Sequence, residues 1–564
     1  MVIRPIRASG RWVTLIAVAS APLMLSGLYA TVPGNASSTT PAGVQAAAAR
    51  TGHVAAGTVI HAATSSKPFV PTAAEKAARA RDMKLLDSLK KAPIGPHTTA
   101  ASVAPLRGPQ TSPAQHNAPT TFTVFKDTAI PTSCSGSCAQ STVNEPDTAN
   151  SGKYLMQTSN WDIAYSTNGG ASPPTWNYQN PYSLSSGFCC DQAVTYVPSR
   201  DRFVYEGLTL GSGSQQGITI ATTRSTAPTS WCVYHFDASA FGGTSGDLLD
   251  YPKIAYSNNY IYLTWNHYNS SGSSWIDTGL ARLPIDPLAA CSGFGYSYLT
   301  RSDNFTFGLT YGTSSLDTFY WVSNWYTTAS GSGTEERIYY WPENSGTYFF
   351  ADRSVSGYNF SGGSCASQDG RVTNWCSRLD PRWETAWISR AEYNAQANSA
   401  FAGDTILGVA ITAGPGGGDP FPYVIYEYFK LNALSFIQTS ATFNDGFAFA
   451  YAGCAPNAHG YVGCAMSWGG GTGTGSSAVD YYPGGLILLQ DNVNPTQPWG
   501  YDFNLFGSGN ASAWGDYMVT QPFEPDVGPF ITTEWAVNGS GIVVPHVVIW
   551  GRGNEYGYSR FKTS

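Results

Sequence analysis

Six acidic residues recur just before runs that read as strands. They are Glu145 (EPD), Asp191 (DQAVTYV), Asp250 (DYPKIAY), Asp317 (DTFYWVS), Asp380 (DPRWETAWIS) and Asp516 (GDYMVTQ), with Asn444-Asp445 filling the gap before the last. Carboxyl groups gathered at one place repel, so some keep their protons while others ionise. A protonated acid beside an ionised base or nucleophile is what glycoside hydrolysis requires. Asp250, Asp516, Asp191 and Asp380 are therefore candidate catalytic residues, with Glu145 and Asp317 as binding partners. Asp250-Tyr251-Pro252-Lys253 and Trp514-Gly515-Asp516-Tyr517 carry the most weight, because each sets a carboxylate beside a tyrosine. Tyr251, Lys253 and Arg382 could instead serve an elimination, as base and as neutralisers of a uronate. Arg382 follows Asp380 and could equally pair with it. Carboxylate oxygens also suit Ca²⁺, which would neutralise the cluster. For each acid the plainer role is a turn cap bonding nearby amides.

A second set of candidates is aromatic. Trp161, Trp176, Trp265, Trp275, Trp321, Trp325 and Trp341 are many for one domain. Trp161 and Trp265 are candidate platforms for a sugar ring, whose C–H face stacks on an indole. Packing between sheets is the competing role. Glu384, Glu534 and His546 lie in strand-like runs, and His546, flanked by Val and Pro, reads as a satisfied core histidine.

These residues need strands to position them. Tyr154–Gln157, Trp161–Tyr165, Ala193–Val197, Arg202–Thr209, Gly217–Thr223 and Tyr260–Trp265 are rich in aromatic and branched residues. So are Trp275–Leu283, Glu384–Ser389, Thr405–Thr412 and Phe436–Thr442. Four strands, an acid, then a new group of strands repeats at roughly 60–70 residues. That is longer than the ~40–45 of a minimal propeller blade, the excess falling in loops. The expectation is an all-β propeller of about seven blades, or six if the first unit shares a blade with the C-terminus. The ring removes long free edges, and Thr121–Phe125 can close the last blade.

Asn144 to Trp176 also holds the turn Ser166-Thr167-Asn168-Gly169-Gly170, closed by Trp176. It resembles the Asp-box of sialidase-like propellers. With NEPD…SNWDIAYSTNGG, DQAVTYVPSRDRFVYEGL, LLDYPKIAYSNNYIYLTWN and AWGDYMVTQPF…FITTEWAVN, the chain resembles secreted bacterial BNR-type propeller proteins. The resemblance implies a propeller over most of 119–564 and a poly- or oligosaccharide partner. It does not imply sialic acid: the N-terminal Arg-Ile-Pro-type motif is missing, and Arg202, Arg301, Arg382 and Arg390 form no evident triad. The function expected is a glycoside hydrolase; a polysaccharide lyase or a non-catalytic lectin are the alternatives.

Around that domain, residues 1–30 read as a signal peptide. Arg4, Arg7 and Arg11 precede an apolar run, and small residues lead to Ala30. Residues 31–118, rich in Ala, Thr, Ser and Pro, read as a linker or propeptide. Within it Thr72 to Lys91 could form a short helix capped at Thr72. A net charge of −7 with no basic stripe argues against nucleic acid. No later segment is long and apolar enough to anchor in a membrane after signal cleavage, so the protein is expected outside the cell or in a periplasm. Ten cysteines in an exported chain predict disulfides. Cys365–Cys376 and Cys454–Cys464 are expected as local staples, and Cys189 and Cys190 are expected to take different partners. Cys134-x-x-x-Cys138 lacks the further ligands of a zinc site. Neither Gly-x-Ser-x-Gly nor His-Glu-x-x-His occurs, which disfavours a peptidase.

Overall fold

A computed structural model describes residues 43–67, 123–130, 145–169 apart from 161, 175–211, 216–311, 317–324, 333–359, 384–389, 405–415, 420–471, 480–491, 499–509 and 518–553 apart from 527, with a few residues near 41 and 72–77. Nearly all of the ordered structure is strand, in line with the all-β propeller expected.

The described residues hold seven antiparallel four-stranded meanders. In chain order they occupy 147–179, 188–236, 248–301, 308–354, 384–442, 448–505 and 519–551. The seventh supplies only three consecutive strands. Its fourth is Thr123–Ala129, which pairs with Val543–Gly551 through His546↔Ala129 to Gly551↔Thr123. The chain thus closes on itself, as the sequence suggested for Thr121–Phe125. The fourth and fifth meanders merge into one sheet because their first strands run parallel, Thr310↔Ala386 and Tyr311↔Trp387.

The core lies between neighbouring blades. Apolar side chains of one meander pack on the next, as in the cluster of Val204, Ile220 and Phe236 with Leu249, Ile254 and Trp265. Alternate strand residues face the two neighbouring blades, so both sheet faces are buried. That is why the strands read as near-continuous apolar and Thr-rich runs.

Two findings differ from the sequence reading. The fourth meander begins at Gly308, so Asp317 opens its second strand, Thr318–Ser323, and not its first. The larger difference lies in the stretch expected to be a linker. Gln45–Ala48, Arg50–Val54, Thr58–His61 and Thr64–Ser65 are strands. They pair with the outermost strands of the fourth, third, second and first meanders respectively. An edge strand needs only a backbone and room, so low apolar content does not prevent ordering here. Further along, the cap expected at Thr72 is present, and Glu75 makes it reciprocal. The Thr72 amide donates to Glu75 Oε2 (2.6 Å) and the Glu75 amide to Thr72 Oγ1 (3.2 Å).

Candidate active site at the central cavity

The first strand of every meander contributes to one narrow cavity, lined by Asp147, Ala193, Lys253, Leu309, Glu384, Gly453 and Val519. One residue from each of the seven first strands identifies these as the inner strands around a central channel. Further along the same strands, Asn150, Thr195, Tyr256, Tyr311 and Gln521 line a second cavity. Acidic groups sit at the strand beginnings. Asp147 and Glu384 line the cavity itself, while Asp191 and Asp250, both buried, precede its lining residues Ala193 and Lys253 on the same strands.

Local irregularity aims these side chains. Register shifts lie between Phe188 and Gln192, between Asp250 and Lys253, and between Ala450 and Gly453. A bulge bends its strand and re-aims the residues beside it. Tyr251 and Tyr451 take positive φ (66° and 58°) inside two of these bulges. The bulge after Phe188 holds a disulfide between the consecutive Cys189 and Cys190. This corrects the expectation of different partners. On a regular strand consecutive side chains point to opposite faces, and only the break in register lets two adjacent thiols meet. Cys232–Cys291 and Cys454–Cys464 are also bonded, the latter as expected. Cys365, Cys376, Cys134 and Cys138 lie outside the described residues.

Two of the expected carboxylates come together. Asn160 Nδ2 donates to Glu145 Oε2 (2.8 Å) and to Asp191 Oδ1 (3.3 Å), while Asn160 Oδ1 accepts from the Glu145 amide (2.7 Å). Asp250, buried, stands opposite Asn266 in its ladder. Tyr251 is partly buried, with Lys253 Nζ 5.7 Å from its ring centre. Asp317 does not join the group: it is exposed and accepts from Asn258 Nδ2 (3.1 Å). Trp265 is 1 % exposed and stacked on Phe241 at 4.0 Å, a core residue and not a sugar platform. Trp321 and Trp341 are buried likewise. Asp380, Arg382, Asp516, Trp161 and Trp325 lie outside the described residues.

The strongest electrostatic features are carboxyls that the sequence reading did not select. Asp147 accepts from the Thr148 amide (2.6 Å), the Val194 amide (3.0 Å) and Gln521 Nε2 (3.4 Å), tying the first, second and seventh blades together. Burial still pushes its pKa up to about 7, against those bonds. Glu206, on the second strand of its blade, is raised by burial and then by Asp147. Glu384 is raised to about 8 by burial, with Lys253 opposing the shift. Its Oε1 accepts from the Asn324 amide (3.2 Å). Lys253 Nζ donates to the backbone oxygens of Phe307 (3.0 Å) and Glu384 (3.2 Å). Behind Glu384, Glu336 and Glu427 are wholly buried and raised by burial first and by the charge of Glu384 second. Single acids inside otherwise apolar strands (Val204-Tyr205-Glu206, Tyr426-Glu427) were the available signal.

Outside the channel, His267 is held between Asp247 (Nε2, 3.1 Å) and Asp277 (Nδ1, 3.2 Å). His546 is satisfied as expected, but by Asp127 of the closing strand (2.7 Å) and not within the core. Glu534 is buried, accepts from Asn504 Nδ2 (2.6 Å) and is raised to about 8 by burial. Among the described residues no group of three or more His, Cys, Asp or Glu is spaced to hold a metal ion. None of their helices is long and apolar enough to cross a membrane.

No family model and no curated protein sequence matches the chain. Solved structures do resemble it at a distance. An α-L-arabinofuranosidase of Fusarium graminearum superposes with a TM-score of 0.36 at 11% identity, over 75% of this chain and 97% of that one. An α-L-arabinanase of Penicillium chrysogenum gives 0.36 at 8%, over 76% and 98%. The N-terminal domain of Nup159 gives 0.37 at 9%, over 80% and 99%. Two are named as glycosidases and one as a nucleoporin domain, and likeness this remote does not choose between them.

Proposed function

We propose that this chain is a secreted carbohydrate-active enzyme, a glycoside hydrolase acting on a poly- or oligosaccharide at the mouth of its central cavity. The observation that carries the reading is the convergence of Asp147, Lys253 and Glu384 on one cavity, with Asp191 and Asp250 just before the lining residues Ala193 and Lys253 on the same strands. Glu384 is the general acid. Burial keeps its proton on near neutral pH, and Lys253 keeps the shift from running higher. Asp250 is the base or nucleophile that completes the pair. Glu145 and Asn160 hold Asp191 in place. Three disulfides among the described residues suit an oxidising compartment, in keeping with residues 1–30 as an export signal.

A lyase is the second reading, favoured by Tyr251, whose φ of +66° sets it apart from the ladder beside Lys253. A lectin reading is weakened, because Trp265, Trp321 and Trp341 are buried.

The test is a screen of the full chain against polysaccharides and aryl glycosides, with Glu384→Gln and Asp250→Asn. Each substitution should lower turnover at least about a hundred-fold, the usual scale of general acid–base catalysis. An unsaturated, ultraviolet-absorbing product would move the assignment to elimination. Turnover that both variants retain would overturn this site.

A further inference from the structure

Residues 45–65 cross four blades in sequence, each strand lying antiparallel on an outermost strand. The crossings are made of small residues: Ala49, then Ala55-Ala56-Gly57, then Ala62-Ala63. Two crossings are fixed by backbone bonds, the Ala49 amide to the Gly346 oxygen (2.9 Å) and the Ala62 amide to the Thr229 oxygen (2.8 Å). The strands themselves are largely exposed, so side-chain burial does little to hold them.

Register is set by two glycines. Gly52 stands opposite Tyr296, and a Cβ there would lie 2.3 Å from the Tyr296 ring. That ring cannot retreat easily, since its hydroxyl donates to the Ala240 oxygen (2.6 Å). A Cβ at Gly57 would lie 2.5 Å from Cys232 Sγ and 2.8 Å from the Tyr234 ring. Cys232 is fixed by its disulfide to Cys291, and the Tyr234 hydroxyl donates to the Ser292 oxygen (3.0 Å) and Pro287 oxygen (3.3 Å). The Gly57 amide in turn bonds the Tyr234 side chain. A shift of one residue would drive a side chain into each pinned ring.

We propose that the outer edges of these four blades form one strand-docking surface, and that residues 45–65 occupy it as a ligand read by glycine position. The partner class is an extended, small-residue peptide, and its occupant is this chain's own N-terminal segment. Backbone bonds give the affinity, and the close approach of Tyr296, Cys232 and Tyr234, which only glycine admits, gives the specificity. The segment therefore stays bound when the chain is cut behind it, and a free peptide of the same sequence can replace it.

The test uses the full chain with a protease recognition sequence inserted between Ser65 and Thr123. After cutting, gel filtration and mass spectrometry measure the fragment retained, and an isotopically labelled peptide of residues 41–67 measures exchange. The wild type should keep its fragment and exchange it with excess peptide. Gly52→Val with Gly57→Val should lower retention at least about ten-fold, from the overpacking expected at pinned rings. Circular dichroism of the uncut variants checks the fold. If the double variant does not fold, Gly52→Ala adds one methyl at the same place and should fall between. Complete loss of the wild-type fragment on cutting, retention unchanged by the substitutions, or no exchange at any peptide concentration would each overturn the proposal.

Discussion

Replacing Asp147 with Asn should flatten the pH dependence of stability. In the folded chain the Asp147 carboxyl titrates at about 7, against 3.8 when free. Between those values the native state holds a proton that the unfolded chain has released. Its contribution is present in full below pH 3.8 and is lost as pH rises through 7, at about 1.4 kcal/mol per pH unit. Over the three units between the two values this amounts to about 4 kcal/mol. An asparagine cannot ionise, so this slope vanishes. The substitution has its own cost, because an NH₂ facing the Val194 amide replaces an acceptor at 3.0 Å. Leaving that buried N–H unsatisfied costs roughly 1–3 kcal/mol, visible at acid pH where the wild type is protonated. Relative to wild type the variant should thus be least stable at the acid end, cross it by about pH 6 and be the more stable protein near pH 8, because the roughly 4 kcal/mol that the wild type loses exceeds the cost of the substitution. Urea unfolding between pH 4.5 and 8.5, with disulfides intact, measures both. Glu384 and Glu534 act with the same sign in both proteins, so only the difference between the curves is diagnostic. Parallel curves would show that Asp147 ionises freely in the native state, and the account of the channel interior would fail.

Other outcomes follow from the same packing. Trp265→Ala should destabilise the third blade by about 3–5 kcal/mol, read as a lowered unfolding midpoint, with carbohydrate binding unchanged. Changing Cys232 and Cys291 together to Ser should cost about 4 kcal/mol, from a loop closed across 59 residues, measured against the wild type with its disulfides intact.

The strand-rich texture made the fold legible in the chain. Runs such as Arg202–Leu210 and Tyr260–Tyr268 carry the aromatic and branched residues that a blade buries on both faces. Asp191 and Asp250 do fall on first strands, though inside them, within Phe188–Val197 and Leu248–Tyr256. The acid before a strand misled at Asp317, because nothing local distinguishes a first strand from a second. The site's interior was less readable. Glu206, Glu336 and Glu427 are single letters in apolar runs, and only the meeting of blades makes them neighbours of Asp147 and Glu384.

Sequence alone determined the kind of structure: strands, their turns and the repeat that stacks them, because side-chain periodicity and turn chemistry act over a few residues. Tertiary structure decided what depends on distant partners. Trp265 became core because Phe241 lies on its face. Cys189 and Cys190 bonded each other because a bulge turned both to one side. The Ala- and Thr-rich segment at 45–65 became strand because four open sheet edges offered its backbone hydrogen-bond partners that no local composition could reveal.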